Sequence, residues 1–339
     1  MIRIIGHRGG RNLWAENSLG GFRKTARLGV DAVELDLHLT RDGEIVVIHD
    51  PLLERTTNGR GAVSDHSLQA LTGLRLKDTI DETIPTLEQV LDVFEPTGLA
   101  LELEMKTDAR GLPYPGLIEK TAALVERREM TDRCRLTCFV PEVIEEMRSQ
   151  APRFRRLASL DRRSAEMLGG LERAIRRFMD LDCTIAIERT LLAPDIGRCH
   201  SQIGTDRLGV WVPNTPGDLD FWLRQPVGQI TSDRPDLALA IRAHLLAGGP
   251  KPMVFAAYRK RSGAGFPRDT MVELNTCGPK KVDKPVTASA SAMRSSDELE
   301  ATQRAAPARS ISFSTPAIPA TGFSSRRNRL KSSSPQRLS

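Results

Sequence analysis

Ala32-Val33-Glu34-Leu35-Asp36-Leu37 is followed by Thr40-Arg41-Asp42-Gly43 and then by Ile45-Val46-Val47-Ile48-His49. Side chains alternate between the two faces of a strand, so Glu34, Asp36 and His38 share one face of the first run. An Asp-Gly turn between two β-rich runs signals a hairpin and not a helical crossover. If that turn centres near Arg41 and Asp42, paired positions sum to roughly 83 or 84. His49 then lies across from Glu34 or Leu35 and beside Asp36.

Outward from this hairpin, short β-rich runs alternate with amphipathic stretches over residues 1–247. The runs are Ile2–Gly6, Ala32–Leu37, Leu99–Met105, Arg135–Phe139, Arg156–Leu160, Cys183–Ile187, Leu208–Val212 and Gln229–Thr231. Helix signals fall between them. Asn17 or Ser18 caps a segment ending at Gly29, Pro85-Thr86 opens one running to Phe94, and Pro141 opens another. Eight strands with intervening helices in about 250 residues predict an α/β chain folded as a closed (β/α)8 TIM barrel. The hairpin is the exception to the alternation. It predicts an insertion over about residues 39–84, after the second strand, with Ile45–His49 as an antiparallel strand folded back above the barrel at its catalytic face.

Composition is that of an ordinary globular chain, with 40% hydrophobic and 27% charged residues among 339. The formal charge of +6 divides unevenly: residues 248–339 carry 16 Lys and Arg against 6 Asp and Glu, whereas residues 1–247 have a net charge of −4. From Gly248-Gly249-Pro250 onward apolar periodicity is lost and Ser, Pro, Ala and Arg dominate. Such a stretch buries too little apolar area to offset its ordering entropy, and a disordered basic tail over 248–339 is expected. With no aromatic or Gly-Arg repeat in it, a specific nucleic-acid partner is not expected. No run of about 18 apolar residues occurs, and the start turns polar too soon for a secretory segment, so a cytoplasmic protein without a transmembrane segment is expected. Five cysteines without a Cys-x-x-Cys pair indicate neither a disulfide framework nor a zinc knuckle.

The candidate chemistry lies on the strands. Glu102, Glu104 and Lys106 repeat the alternation of Glu34 and Asp36, so carboxylates converge at the end where barrel enzymes keep their sites. Crowded like charges need a cation, and oxygen-only ligands suit a hard ion, Mg2+ or Ca2+, better than zinc or copper. His7 ends the first strand, next to the second in a barrel, with Arg8 following. Two histidines, a divalent cation and an arginine are the groups required for attack on a phosphate ester.

Seven segments in order carry a more specific signal: His7-Arg8-Gly9, Glu16-Asn17-Ser18, Glu34-Leu35-Asp36, His49-Asp50-Pro51, Ile84-Pro85-Thr86-Leu87-Glu88, Glu104-Met105-Lys106 and Ser232-Asp233-Arg234-Pro235-Asp236. Over about residues 3–240 the chain resembles the glycerophosphodiester phosphodiesterase family. The resemblance implies metal-dependent hydrolysis of small glycerophosphodiesters to glycerol 3-phosphate and an alcohol. Glu34, Asp36 and Glu104 match the family's metal ligands, His7 and His49 its general base and acid, and Arg8 and Lys106 its groups near the phosphate. Ala15, Cys138 and Val212-Pro213 depart from the family's usual residues, which bears on the substrate pocket and not on the chemistry.

Other candidates have plainer readings. Trp211, ending the seventh barrel strand, either fills the core or walls the glycerol pocket. His38 is expected to pack behind the site, Glu102 to form a structural ion pair, and Asp233 to order the last strand–helix loop or cap the final helix. His66, His200 and His244 are expected at surface or capping positions. Two other functions compete: a lysophospholipase D-like phosphodiesterase on the same barrel, which the polar insertion disfavours, and a non-catalytic protein recruited through its basic tail, which would be expected to have lost site residues.

Overall fold

A computed structural model describes residues 1–248; the expected tail lies outside the described residues, its first glycine aside. The strands are β1 (Arg3–Gly6), β2 (Ala32–Leu39), β3 (Ile45–Val47), β4 (Ala100–Met105), β5 (Cys134–Cys138), β6 (Arg155–Leu160), β7 (Thr184–Glu188), β8 (Leu208–Trp211) and β9 (Gln229–Ser232). Their order is β1-β9-β8-β7-β6-β5-β4-β2-β3, and β1 also pairs with β2. Eight parallel strands therefore close on themselves as a (β/α)8 barrel, and among the described residues only β3 is an antiparallel strand. Each of the eight runs read from the sequence corresponds to a barrel strand, within one or two residues at each end.

Local chemistry explains where the helices begin and end. Ser18 Oγ accepts from Gly21 N at 2.9 Å, opening the helix Leu19–Leu28, and Gly29 closes it at φ 78°. Thr86 and Gln89 form a reciprocal capping box ahead of the helix Leu87–Phe94. The outer faces of the strands and the inner faces of the helices share one apolar core, in which Phe22 and Phe94 meet edge to face at 5.6 Å. Burying side chains of this size is worth roughly 1.5–3 kcal/mol each.

The β2–β3 hairpin has the register Leu37↔Val47, His38↔Val46 and Leu39↔Ile45, so paired positions sum to 84. Gly43 takes φ 79° in the turn, and Thr40 N donates to Glu44 O at 3.0 Å. The strand is shorter than the sequence suggested. Ile48 N still reaches Asp36 O at 3.1 Å, but the His49 carbonyl lies 3.1 Å from the His38 ring Nε2, and regular pairing stops. The rest of the insertion has a small core of its own, made of Val46, Ile48, Leu53, Val63, Leu71, Leu76 and Ile84. That core holds a long excursion in a fixed position over the barrel's C-terminal end. Among the described residues no helix is long and apolar enough to cross a membrane.

Candidate active site

Register brings the carboxylates together. Asp36 pairs with Glu104 across β2 and β4, and Glu34 with Glu102 one step lower. Oxygens of Glu34, Asp36 and Glu104 all lie within 4.8 Å of one another, with Glu34 and Asp36 buried. Lys106 Nζ is 2.8 Å from Glu104 Oε1 and 3.3 Å from Asp36 Oδ1. Arg8 Nε is 3.5 Å from Asp36 Oδ2, and Asn17 Nδ2 donates to that same oxygen at 2.8 Å.

Arg8 reaches this position through an unusual backbone. Its φ of 49° and ψ of 36° are left-handed, a conformation that costs a non-glycine residue roughly 1–2 kcal/mol. Two hydrogen bonds hold it: Arg8 N donates to Glu34 Oε2 at 3.0 Å, and Arg8 O accepts from Asn17 N at 3.0 Å. Gly9 follows at φ 73°, where a Cβ would approach Phe22 to 2.9 Å, so the turn can press against the first helix only with glycine there.

Electrostatics follow from the crowding. Burial pushes the Glu34 carboxyl well above the usual range, and the neighbouring charges of Asp36 and Glu104 push the same way. Asp36 is buried too, which opposes ionisation, yet Lys106, Arg8 and the Asn17 hydrogen bond hold it far below the usual range. Lys106 stays charged despite burial because Glu104 and Asp36 face it. Burial lowers the His49 imidazole, Asp36 opposes that shift, and Lys106 and Arg8 add to it.

Both candidate acid–base histidines are tethered at Nδ1. His7 Nδ1 lies 2.5 Å from Asp233 Oδ1, and Asp233 is itself held by Asn214 Nδ2 at 2.7 Å and Arg11 Nε at 3.2 Å. His49 Nδ1 lies 2.5 Å from Asp50 Oδ1. Arg55 then bridges Asp50 and Glu16, at 2.5 Å and 2.7 Å, and Glu16 Oε1 is 3.3 Å from Arg8 Nη1. His7 Nε2 is left pointing at the acidic cluster, 3.8 Å from Glu34 Oε2.

A cavity of about 260 Å3 connects these groups. His7, Arg8, Glu34, His49, Glu104 and Lys106 all line it, so seven of the eight residues singled out from the sequence line it once Trp211 is included, and the eighth, Asp36, is buried directly behind. Trp211 forms part of the wall, its Nε1 donating to Ala186 O at 3.1 Å and its ring edge to face with Phe139 at 5.6 Å. His38 is fully buried with Nδ1 3.0 Å from the Tyr114 hydroxyl, and burial pushes it down to about 4. Glu102 pairs with Arg135 at 3.3 Å, as a structural ion pair should. Of the two roles expected of Asp233, the cap is not seen, since the final helix Pro235–Leu246 has no side-chain cap; its bonds to Asn214 order the loop after the last strand, and its carboxylate also faces His7. Asn17, named from the sequence only as a possible helix cap, instead donates to Asp36, while Ser18 is the cap; Asp50, Arg55 and Asn214 were not named as site residues, although His49-Asp50-Pro51 was among the ordered segments.

The carboxylates fit a hard divalent cation. Glu34 Oε1 and Asn17 Oδ1 are buried without a hydrogen-bond partner, and Asp36 Oδ1 makes no aligned hydrogen bond beyond the Lys106 ammonium at 3.3 Å, which is costly unless another ligand completes them. All three are oxygens, the donor type such a cation takes.

Fold and site together define a (β/α)8-barrel protein with two histidines, a carboxylate cluster that could hold a cation and two basic side chains at the C-terminal end of its strands. The chain belongs to the glycerophosphoryl diester phosphodiesterase family, whose model matches residues 7–237. It is 32% identical over 154 residues to a glycerophosphodiester phosphodiesterase of Caldanaerobacter subterraneus subsp. tengcongensis, covering 44% of this chain and 63% of that protein. It is 34% identical over 145 residues to one of Bacillus altitudinis, covering 41% and 58%. The matches thus span about three fifths of these curated relatives. A crystal structure of a candidate glycerophosphoryl diester phosphodiesterase from Agrobacterium tumefaciens strain C58 superposes with a TM-score of 0.68 at 28% identity, over 73% of this chain and 99% of that one.

Proposed function

We propose that the protein hydrolyses small glycerophosphodiesters to glycerol 3-phosphate and an alcohol, using His7 and His49 as an acid–base pair. The observation that carries this reading is the convergence of two Nδ1-tethered imidazoles on one cavity that also holds Arg8, Lys106 and the three carboxylates. Family membership and the activity named for the relatives support it.

Glu34, Asp36 and Glu104 would hold a divalent cation, Mg2+ or Ca2+, which when bound supplies Lewis-acid polarisation of a phosphoryl oxygen. Arg8 and Lys106 bind and orient the phosphate, since each presents fixed cationic donors to the cavity. With Nδ1–H engaged by Asp233, the neutral His7 ring has its lone pair at Nε2, the atom facing the cluster, and takes the nucleophile's proton there. Asp233 stabilises the imidazolium that results. His49, held by Asp50, delivers a proton from Nε2 to the leaving alkoxide. A phosphate anion seated between Lys106 and Arg8 offsets their repulsion of the His49 imidazolium and so favours its charged form. Trp211 and Phe139 supply an apolar wall against which the carbon skeleton of the substrate rests.

An enzyme-coupled assay for glycerol 3-phosphate tests the reading, run on glycerophosphocholine, glycerophosphoethanolamine and glycerophosphoglycerol with chelator, Mg2+ or Ca2+. Release from at least one diester, lost in His7→Ala and His49→Ala, is expected. Absence of release from every diester under all metal conditions overturns it.

A further inference from the structure

A second cavity lies away from the catalytic end. It has a volume of about 590 Å3, lies at the opposite mouth of the barrel, and includes Arg3, Arg133, Arg135 and Arg155 in its lining. Strand geometry accounts for this concentration of charge. Arg3 and Arg155 are the first residues of β1 and β6, and Arg135 is the second of β5. Arg135 is in register with Arg155 on one side and with Glu102 on the other. Alternation from Thr137 and Leu157, which line the catalytic cavity, turns Arg135 and Arg155 inward as well.

These charges are poorly compensated within the protein. Glu102 is the one carboxylate among the described residues that pairs with Arg3, Arg135 or Arg155, and it is shared: Gln229 Nε2 donates to both of its oxygens, at 3.1 and 3.2 Å. Arg135 spends a single nitrogen, Nη1, on Glu102 and on Gln229 Oε1 at 2.9 Å. Arg155 donates one bond, to the backbone carbonyl of Asp132 at 3.1 Å. Arg3 has no ion pair among the described residues. Asp132 and Asp206 also line the cavity, but neither pairs with any of the three. Burial holds the Arg135 guanidinium below the ordinary arginine value even though Glu102 opposes the shift, and Arg3 and Arg155 lower it further. Three guanidinium groups with unused N–H donors around one recess form a polydentate donor site for an anion.

We propose that this floor cavity binds a small multivalent oxyanion through Arg3, Arg135 and Arg155, with a phosphate group as the type ligand. A tetrahedral oxyanion accepts from several directions at once, which matches donors arriving from β1, β5 and β6. Glu102 lines both this cavity and the catalytic one, and its pairing with Arg135 and Gln229 lies between them, so the two sites are separate. The ligand is inorganic phosphate or the phosphate of an organic monoester, and the two sources are distinguishable by titration.

The test is isothermal titration of the full chain with inorganic phosphate, and in a parallel arm with glycerol 3-phosphate, against chloride at matched ionic strength. Binding is read without turnover, so its outcome is independent of the proposed hydrolysis. Phosphate binding that persists in Lys106→Ala and weakens at least tenfold in Arg3→Ser/Arg155→Ser supports the site. Should the double variant fail to fold, Arg155→Gln alone, at an exposed position, should weaken binding at least threefold. Tighter binding of one probe identifies the source. Phosphate binding that disappears in Lys106→Ala, that survives the floor substitutions unchanged, or that chloride reproduces overturns the proposal.

Discussion

Asp233 Oδ1 lies 2.5 Å from His7 Nδ1, although 226 residues separate the two in the chain. Strand β9 pairs with β1 in the register Gly6↔Ser232, and this sets the residue after each strand side by side at the catalytic end. Asp233 is buried, which opposes its ionisation, but His7, Arg11 and Asn214 hold its carboxyl below the usual range. A carboxyl depressed in the folded state contributes stability that is present above its unfolded value, about 3.9, and is lost as pH falls through the folded value. Asp233→Asn should therefore flatten the acid limb of stability below about pH 4, read by urea denaturation between pH 3 and 6. An acid limb identical to that of the wild type would mean the pair contributes nothing to the folded state.

The same substitution should act on turnover. Asparagine presents either a weaker acceptor or a donor to His7 Nδ1, so the ring loses its preferred tautomer, and kcat should fall by about 10²-fold or more. Substrate KM should change much less, because Arg8 and Lys106 are untouched. Steady-state kinetics of the variant check both numbers.

Arg55 joins the insertion to the β1–α loop by bridging Asp50 and Glu16. Its side chain is 45% exposed, so the bridge should add no more than about 1 kcal/mol to stability. Its influence on His49 is geometric, and a displacement of about 1 Å at a reacting group can cost 10²-fold. Arg55→Ala should leave the thermal midpoint within a few degrees of wild type and reduce kcat by at least about tenfold, with partial recovery in Arg55→Lys. Unaltered kcat would show that the small core under the insertion positions His49 unaided.

Crowding of Glu34, Asp36 and Glu104 predicts opposite effects with and without cation. Glu34→Gln replaces the carboxyl whose ionisation burial and its two neighbours oppose, and should leave the metal-free protein as stable as wild type or up to about 2 kcal/mol more stable. The stabilisation by Mg2+ or Ca2+, about 2.7 kcal/mol at a concentration 100 times Kd, should shrink or vanish in the variant. Thermal melts with chelator and with each cation measure both effects. A large loss of stability in chelator would contradict the repulsion.

Burial pushes the Cys134 and Cys138 thiols up to about 12 and Cys183 up to about 11. Thiolate is the reactive form, so at pH 8 these residues and buried Cys199 should resist alkylation in the folded protein and react once it is unfolded. Peptide mapping after iodoacetamide treatment gives the residue-by-residue answer. Rapid labelling of Cys138 would mean that the wall behind Phe139 opens to solvent.

The eight strands, the hairpin and its turn were legible in the sequence because each rests on local rules: alternation of side chains along a strand, helix-cap chemistry and the positive φ that Gly43 supplies. The alternation of Glu34 with Asp36 and of Glu104 with Lys106 likewise placed the acidic cluster, the hairpin register and the end of the first strand brought His49, His7 and Arg8 to it, and the ordered segments gave them roles. Tertiary structure alone decided what lies beside what. Closure of the barrel joined β1 to β9 and so gave His7 its partner in Asp233, where local reading had suggested only an ordered loop or a helix cap. The pairing of Arg55 with Glu16 and the gathering of Arg3, Arg135 and Arg155 at the floor depend equally on strand order and shear. A one-dimensional pattern fixes which face a residue occupies, but which faces meet is set by packing between segments that are remote in the chain, and that packing energy belongs to no single segment.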